Sequence, residues 1–431
     1  PRQLRAPFFD LERVEVLRGP QSILFGKNSI GGALSMITAK PTDEFEGSVS
    51  VLYEPDHGEL ETSLVLSGPL SETLSGRLAV RYREMDGFIE NTAKNTDEMS
   101  TEESMVRAGL RWDASDTLTF GLKLETGQFD FLGRNSIIVG SPAPGGATPL
   151  VNDFTRKASV DSEFSNNNYQ NATLTFNYQL GDYEMVGVSG WSEYDYDEEI
   201  DTDFGVGSTV QSPAQEDFSQ FSQELRLVSP QGGTFENIVG VFFQTSETRY
   251  LEPAAITLPT VAVQIDRQFF SDSDLWSVFG QSTWNMTDTF RATLGLRYTS
   301  EDKDGGRRIA LRNPNGTIFN PLNLPEFAEL GMPLPPLGLT PHDLTGERSE
   351  EVVTPLLNLQ WDATDNAMLY ASVSTGYKAG GFDARSNRAA LPGGAPALEF
   401  EEEEALSFEM GAKMGLMDGA AELNVAVFRT E

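Results

Sequence analysis

The chain has 431 residues, with 65 acidic and 31 basic side chains and a formal net charge of -34. Such a charge repels phosphate backbones and argues against a nucleic-acid partner. The absence of cysteine removes disulfides, zinc–thiolate sites and thiol catalysis, and suits an oxidising compartment. Hydrophobic residues make up 39% and form no apolar run of about eighteen, so no membrane-spanning helix is expected; a β-barrel escapes that test, because only every second residue faces lipid.

In chain order, residues 1–10 read as an irregular lead-in without a charged-then-apolar signal segment. Residues 11–40 form a compact, turn-rich unit. Its short apolar runs are separated by Gly19-Pro20, Gly26 and Gly31-Gly32, which mark tight turns and close backbone approach. Gly26-Lys27 is not a phosphate loop: Gln21 stands where the first glycine is needed, and Asn28 where the Ser or Thr is needed. A dinucleotide fingerprint fails as well, since the G-x-G-x-x-G spacing is missing. The unit has too few apolar residues to be a domain alone.

From residue 46 the pattern becomes one of repeated strands of about nine to eleven residues, the length a tilted strand needs to cross a bilayer. They are expected at 46–53, 61–67, 75–83, 103–112, 117–127, 171–180, 183–194, 221–229, 235–247, 275–285, 289–300, 352–361, 367–376, 405–416 and 419–430. In the eleventh, Phe290, Ala292, Leu294, Leu296 and Tyr298 share one side; Arg291, Thr293, Gly295 and Arg297 share the other. Charges on one face with apolar residues on the other fit a wet lumen and a lipid-facing exterior. Connections alternate in kind. Short turn-forming links lie at 68–73, 113–116, 181–182, 230–233, 286–288, 362–365 and 417–418. The others are mostly long: 84–102, 128–170, 195–220, 248–274, 301–351 and 377–404. Tight turns at one end and large loops at the other are the outer-membrane pattern. Tyr53, Trp112, Trp191, Trp284, Tyr298, Trp361 and Tyr370 stand near strand ends, where amphipathic rings favour a membrane interface.

The run VEVLRGPQSILFGKNSIGGALSMITAKP, from Val14 to Pro41, resembles without a gap the end of the plug domain of TonB-dependent outer-membrane receptors. Arg18, Gly19, Pro20, Gly26, Asn28, Gly31 and Gly32 carry the match. SQELRL at 222–227, FGQ at 279–281, LGLRY at 294–298, YASVSTGYKAGGF at 370–382 and EMGAK at 409–413 look like barrel segments of the same receptors.

The resemblance implies an all-β fold: a partial plug (1–43) in the lumen of a transmembrane antiparallel barrel (44–431). About 15 of the 22 strands of such transporters are present, so the chain reads as a fragment cut at both ends. The implied function is energy-coupled uptake across the outer membrane, most often of a ferric siderophore. Haem, cobalamin, an oligosaccharide or a passive porin-like barrel are the alternatives. The implied partners are the inner-membrane TonB complex, reached through the missing N-terminus, and outer-membrane lipid. No enzyme activity, cofactor or metal is expected.

Related receptors pair a plug arginine with wall glutamates, so Arg18 is expected to meet Glu409; parity puts Ser407, Glu409, Gly411 and Lys413 inward. Tyr377, Lys378, Phe382 and Arg385 open the loop after Gly376 and are candidates to hold an anionic chelate by stacking and charge. The acidic stretch at 195–203 lacks the calcium-loop spacing. His57 and His342 are the only histidines, too few for a metal pair or a Ser-His-Asp set. The proline-rich stretch 321–341 is a candidate lid.

Overall fold

The computed structural model describes residues 8–134, 156–201, 210–258, 261–312, 340–391 and 394–431. The chain opens with β1 (Leu11–Arg18), the one-turn helix α1 (Ser22–Phe25) and β2 (Gly32–Thr38). Among the described residues, β1 and β2 pair only with each other, antiparallel.

Next come β3 (Glu46–Glu54), β4 (Glu59–Pro69), β5 (Leu74–Met85), the small β6 (Ile89–Asn91) and β7 (Thr96–Glu98), β8 (Ser100–Ser115) and β9 (Leu118–Leu132). They are followed by the short β10 (Arg156–Lys157), then β11 (Phe164–Leu180), β12 (Tyr183–Asp201), β13 (Val210–Val228), β14 (Phe235–Leu258), β15 (Val261–Asn285) and β16 (Phe290–Arg312). Last are β17 (His342–Thr364), β18 (Ala367–Lys378), the hairpin β19 (Gly381–Phe382) and β20 (Glu399–Phe400), β21 (Glu403–Leu416) and β22 (Ala421–Thr430).

Fifteen of these form one antiparallel sheet in sequence order, from β3 at one edge to β22 at the other. The sheet is not closed. All fifteen expected strands are present, and the seven short links are tight turns at one end, as the spacing implied.

Parity follows the expected faces across the lipid belt. Leu294 and Leu296 are exposed outward, at 62% and 55%, while Arg297 and Thr299, on the opposite parity of the same strand, are buried inward. Trp112, Trp191, Trp276, Trp284 and Trp361 also point out. Tyr370 corrects the aromatic-girdle expectation: it faces inward, and its hydroxyl donates to Glu409 at 2.6 Å.

Strand length differs most from expectation. β14 has 24 residues and β15 has 25, so they reach about 80 Å at ~3.3 Å per residue, far beyond a bilayer. The stretch 248–274, expected as a loop, is almost entirely strand, and 195–220 and 301–351 begin and end as strand. Above the lipid neither face meets hydrocarbon, so the period-two contrast that marks a strand fades there while the hydrogen-bond ladder continues. The proline-rich candidate lid lies, except for its last two residues, outside the described residues.

The inner face is not polar throughout. Above the belt, Phe129, Phe131, Tyr169 and Tyr194 turn inward and pack with Met105, Ala79 and Phe9. A second inward cluster joins Val263, Ile265, Ile309 and Leu311. These apolar clusters stand beside the charged residues that fit a wet lumen.

Candidate functional site

The leading segment seats on the inner wall through the turn between β1 and β2. Gln21 N–H donates to Ser29 O at 3.1 Å, Gly26 N–H to Ser22 O at 3.1 Å, and Ser29 Oγ to Gly26 O at 2.7 Å, which closes the turn on itself. Gly26 has φ +76, and a Cβ there would lie 3.1 Å from Nη2 of Arg297. Both facts favour glycine. Pro20 and Ile30 pack where Gly376 leaves room on β18, and Ile23 does so at Gly295 on β16.

Polar contacts complete the seat. Lys27 Nζ lies 2.5 Å from Glu301 Oε1, which also accepts from Ser273 Oγ at 2.6 Å. Lys303 Nζ is 3.0 Å from the other oxygen of Glu301. Arg297 donates to Ile23 O at 3.2 Å, Ser277 Oγ at 3.0 Å and Thr299 Oγ1 at 3.3 Å. Its guanidinium also lies over the rings of Phe242 and Phe279, at 5.5 and 5.1 Å. Asn28 N–H donates to Tyr377 O at 3.0 Å, and Asn28 Oδ1 accepts from Ala379 N–H at 3.1 Å. Nearer the start, Arg77 grips Asp10 at 2.6 and 2.9 Å, and Arg107 Nη1 donates to Phe9 O at 2.5 Å. Arg111 pairs with Asp43.

The expected Arg18–Glu409 pair does not form. Arg18 is exposed opposite Gly32, and Glu409 is taken by Tyr370, its diagonal neighbour across the β18–β21 pair. Of the motif residues, Pro20, Gly26 and Asn28 touch the wall, Gly32 sits at φ +139 in the β1–β2 ribbon, and Gly19 and Gly31 have open space around them.

The four candidate ligand residues are not gathered into one pocket. Tyr377 is 2% exposed behind the leading segment, and Phe382 is buried with Leu398, Tyr250 and Phe269. Lys378 pairs with Glu403 at 2.9 Å. Arg385 is exposed, its N–H donating to Asp383 Oδ1 at 2.7 Å. Tyr377 and Phe382 therefore hold structure in place instead of offering a ring face.

Sequence reasoning placed Arg297 inward but gave it no role, and it ended the eleventh strand one residue before Glu301. Lys27 lies inside the run that resembles the plug, between Gly26 and Asn28; only the register of the extended β16 shows what it reaches.

Above the seat, the segment after β18 straps back over β16 and β17. Arg307, almost wholly buried, donates to the carbonyls of Asp383, Arg388 (2.9 Å) and Ala397 (2.5 Å), and its Nε to His342 Nε2 at 2.9 Å. His342 therefore accepts at Nε2 and donates from Nδ1 to Thr340 O at 2.5 Å. Burial, opposed by the Thr340 bond and reinforced by the Arg307 and Arg267 charges, holds its pKa below the ordinary histidine value.

The family model for the TonB dependent receptor-like β-barrel matches residues 122–431, and that for the TonB-dependent receptor plug domain matches residues 3–33. The pesticin receptor of Yersinia pestis is 25% identical over 443 residues, covering 98% of this chain and 56% of the relative. The ferrienterobactin receptor of Escherichia coli K12 is 24% identical over 329 residues, covering 67% and 42%. Among solved structures, the ferric yersiniabactin uptake receptor of Yersinia pestis superposes with a TM-score of 0.78 at 19% identity, covering 98% of this chain and 60% of that one. The siderophore receptor PiuA of Acinetobacter baumannii gives 0.72 at 16%, covering 97% and 62%. The chain thus spans little more than half the length of the first of these relatives. It belongs to the TonB-dependent receptors, β-barrel proteins of the bacterial outer membrane.

Proposed function

We propose that the receptor carrying this chain takes up a ferric siderophore across the outer membrane, driven by the inner-membrane TonB complex acting on the plug. The plug–barrel boundary falls at 43/44 in this reading. The observation that carries it is the plug turn seated by Lys27, Asn28 and Ile23 on the polar face of a sheet whose other face is apolar. A passive pore has no use for such a stopper. Relatives named as receptors for siderophores supply the ligand class. An enzyme reading has no support in those relatives, which are transport receptors.

The test is growth of a gene-deleted strain under iron starvation, supplied in turn with ferric yersiniabactin, ferric enterobactin and ferric pyoverdine. Loss of growth on one of them, restored by the gene, is the expected result. Normal growth on every iron source, with loss on haem, cobalamin or an oligosaccharide, would replace the siderophore with that ligand.

A further inference from the structure

The plug–wall contacts share a pattern. Among the described residues, each wall charge that reaches the plug also has a partner on the wall itself. Arg77 holds Asp10 of the plug and, at 2.8 Å, Glu46 of β3. Arg107 donates to Phe9 O and, at 2.5 Å, to Glu125 of β9. Arg111 holds Asp43 and, at 3.1 Å, Asp113 of its own strand. Arg297 donates to Ile23 O and also to Ser277 and Thr299. Glu301 meets Lys27 from the plug, and Ser273 and Lys303 from the wall.

Breaking a buried ion pair is costly chiefly because one charge is left without a partner. A second partner on the wall removes that cost for the wall residue. Glu301 is the sharpest case: its carboxylate is 2% exposed, and Lys303 is itself fixed from above by donating to Gly380 O at 2.6 Å. We infer that Lys303, with Glu46, Glu125 and Asp113, serves as a standing replacement partner, so that the plug leaves without orphaning a buried charge. These are positioning residues for plug release, and the inference rests on the energy-coupled reading above. Ion pairs between neighbouring strands are ordinary in a lumen. What sets these apart is that they fall on four of the five wall charges the plug touches, while the fifth, Arg297, keeps two wall hydroxyls.

The experiment is a double-mutant cycle in the complete receptor in a bilayer. It reads the lifetime of the seated plug under constant load applied at its N-terminal side. Lys303→Met is expected to lengthen that lifetime about fivefold, the factor of one modest ion pair, because release then strands Glu301. Lys303→Arg should restore the wild-type lifetime. In a Lys27→Met background the plug no longer pairs with Glu301, so adding Lys303→Met should change nothing. Equal lengthening in both backgrounds would make Lys303 a merely structural residue and overturn the inference; so would an unchanged or shortened lifetime in the single variant. Either failure leaves the iron-dependent growth test standing, since that assay reads uptake and not release under load.

Discussion

Arg297 shows how much one side chain can decide. Its bonded partners are a plug carbonyl and two hydroxyls, and its planar group sits against two phenyl rings. A lysine could not supply that fork or that stacking surface. The plug turn meets it at Gly26, so Gly26→Val is expected to unseat the turn. At φ +76 and ψ -146 the backbone there lies in a region essentially confined to glycine, which costs a branched residue about 1–3 kcal/mol, and its Cβ would press against the guanidinium. The measurement is vancomycin sensitivity of cells making the full receptor, which should rise; unchanged exclusion would contradict the seat. At the strap, His342 lies at the outer end of β17, well beyond the lipid belt. Its pKa is lowered in the folded state. The opened strap therefore takes up a proton first as pH falls through about 6.5, and the strap loses stability from there down toward the folded pKa. Hydrogen exchange at 383–391 and 394–397, corrected for intrinsic rate, is expected to quicken between about pH 7.5 and 5.5. Exchange that is flat across that range would remove His342 from the account.

At the scale of elements, lipid is what makes a strand legible. Leu294, Leu296 and Tyr298 alternate with Gly295, Arg297 and Thr299, and that contrast marked β16 without coordinates. Beyond Ser300 the outward residues are Asp302, Asp304 and Arg308, polar like much of what faces in, and the sequence no longer distinguishes ladder from loop. The cost of that blindness was specific. Glu301 falls just past the expected strand end, so its meeting with Lys27 cannot be read from the sequence, although Lys27 lies inside the matched run. The Arg18–Glu409 expectation took the pairing from kinship and the inward direction of Glu409 from parity, and the register gives Glu409 to Tyr370. The same reasoning sets a mutational contrast. Leu294→Arg, in the belt, should destabilise folding into lipid vesicles by about 2–4 kcal/mol in urea titration. Gln215→Arg, outward on β13 above the belt and opposite Asp197 and Leu251, should stay within about 0.5 kcal/mol. Equal effects would mean that the outward face does not meet lipid where the apolar residues end.

Across the whole molecule, charge is sorted by height as well as by face. The net charge is -34, and above the belt carboxylates stand directly opposite one another on neighbouring strands: Asp195 and Asp217, Asp272 and Asp304, Asp274 and Asp302. Like charges so placed destabilise a sheet and are screened by salt. Raising ionic strength from about 0.01 to about 0.15 M is therefore expected to raise the thermal midpoint of the full receptor in detergent; a fall would contradict this. The central claim, that a glycine-rich segment sits against the inner face of a lipid-facing sheet, is tested most directly by cross-linking, for which a chain with no cysteine provides a clean background. Ile30 Cα lies 3.1 Å from where a Cβ on Gly376 would stand, but that Cβ would also press on Pro20, so the probe goes to Ser374, the next inward residue of β18, about 7 Å along the strand. Ile30→Cys with Ser374→Cys should cross-link through a short bis-maleimide in intact outer membranes, whereas Ile30→Cys with Val373→Cys, on the opposite face of the same strand, should not. Cross-linking to position 373 instead, or to neither, would contradict the account.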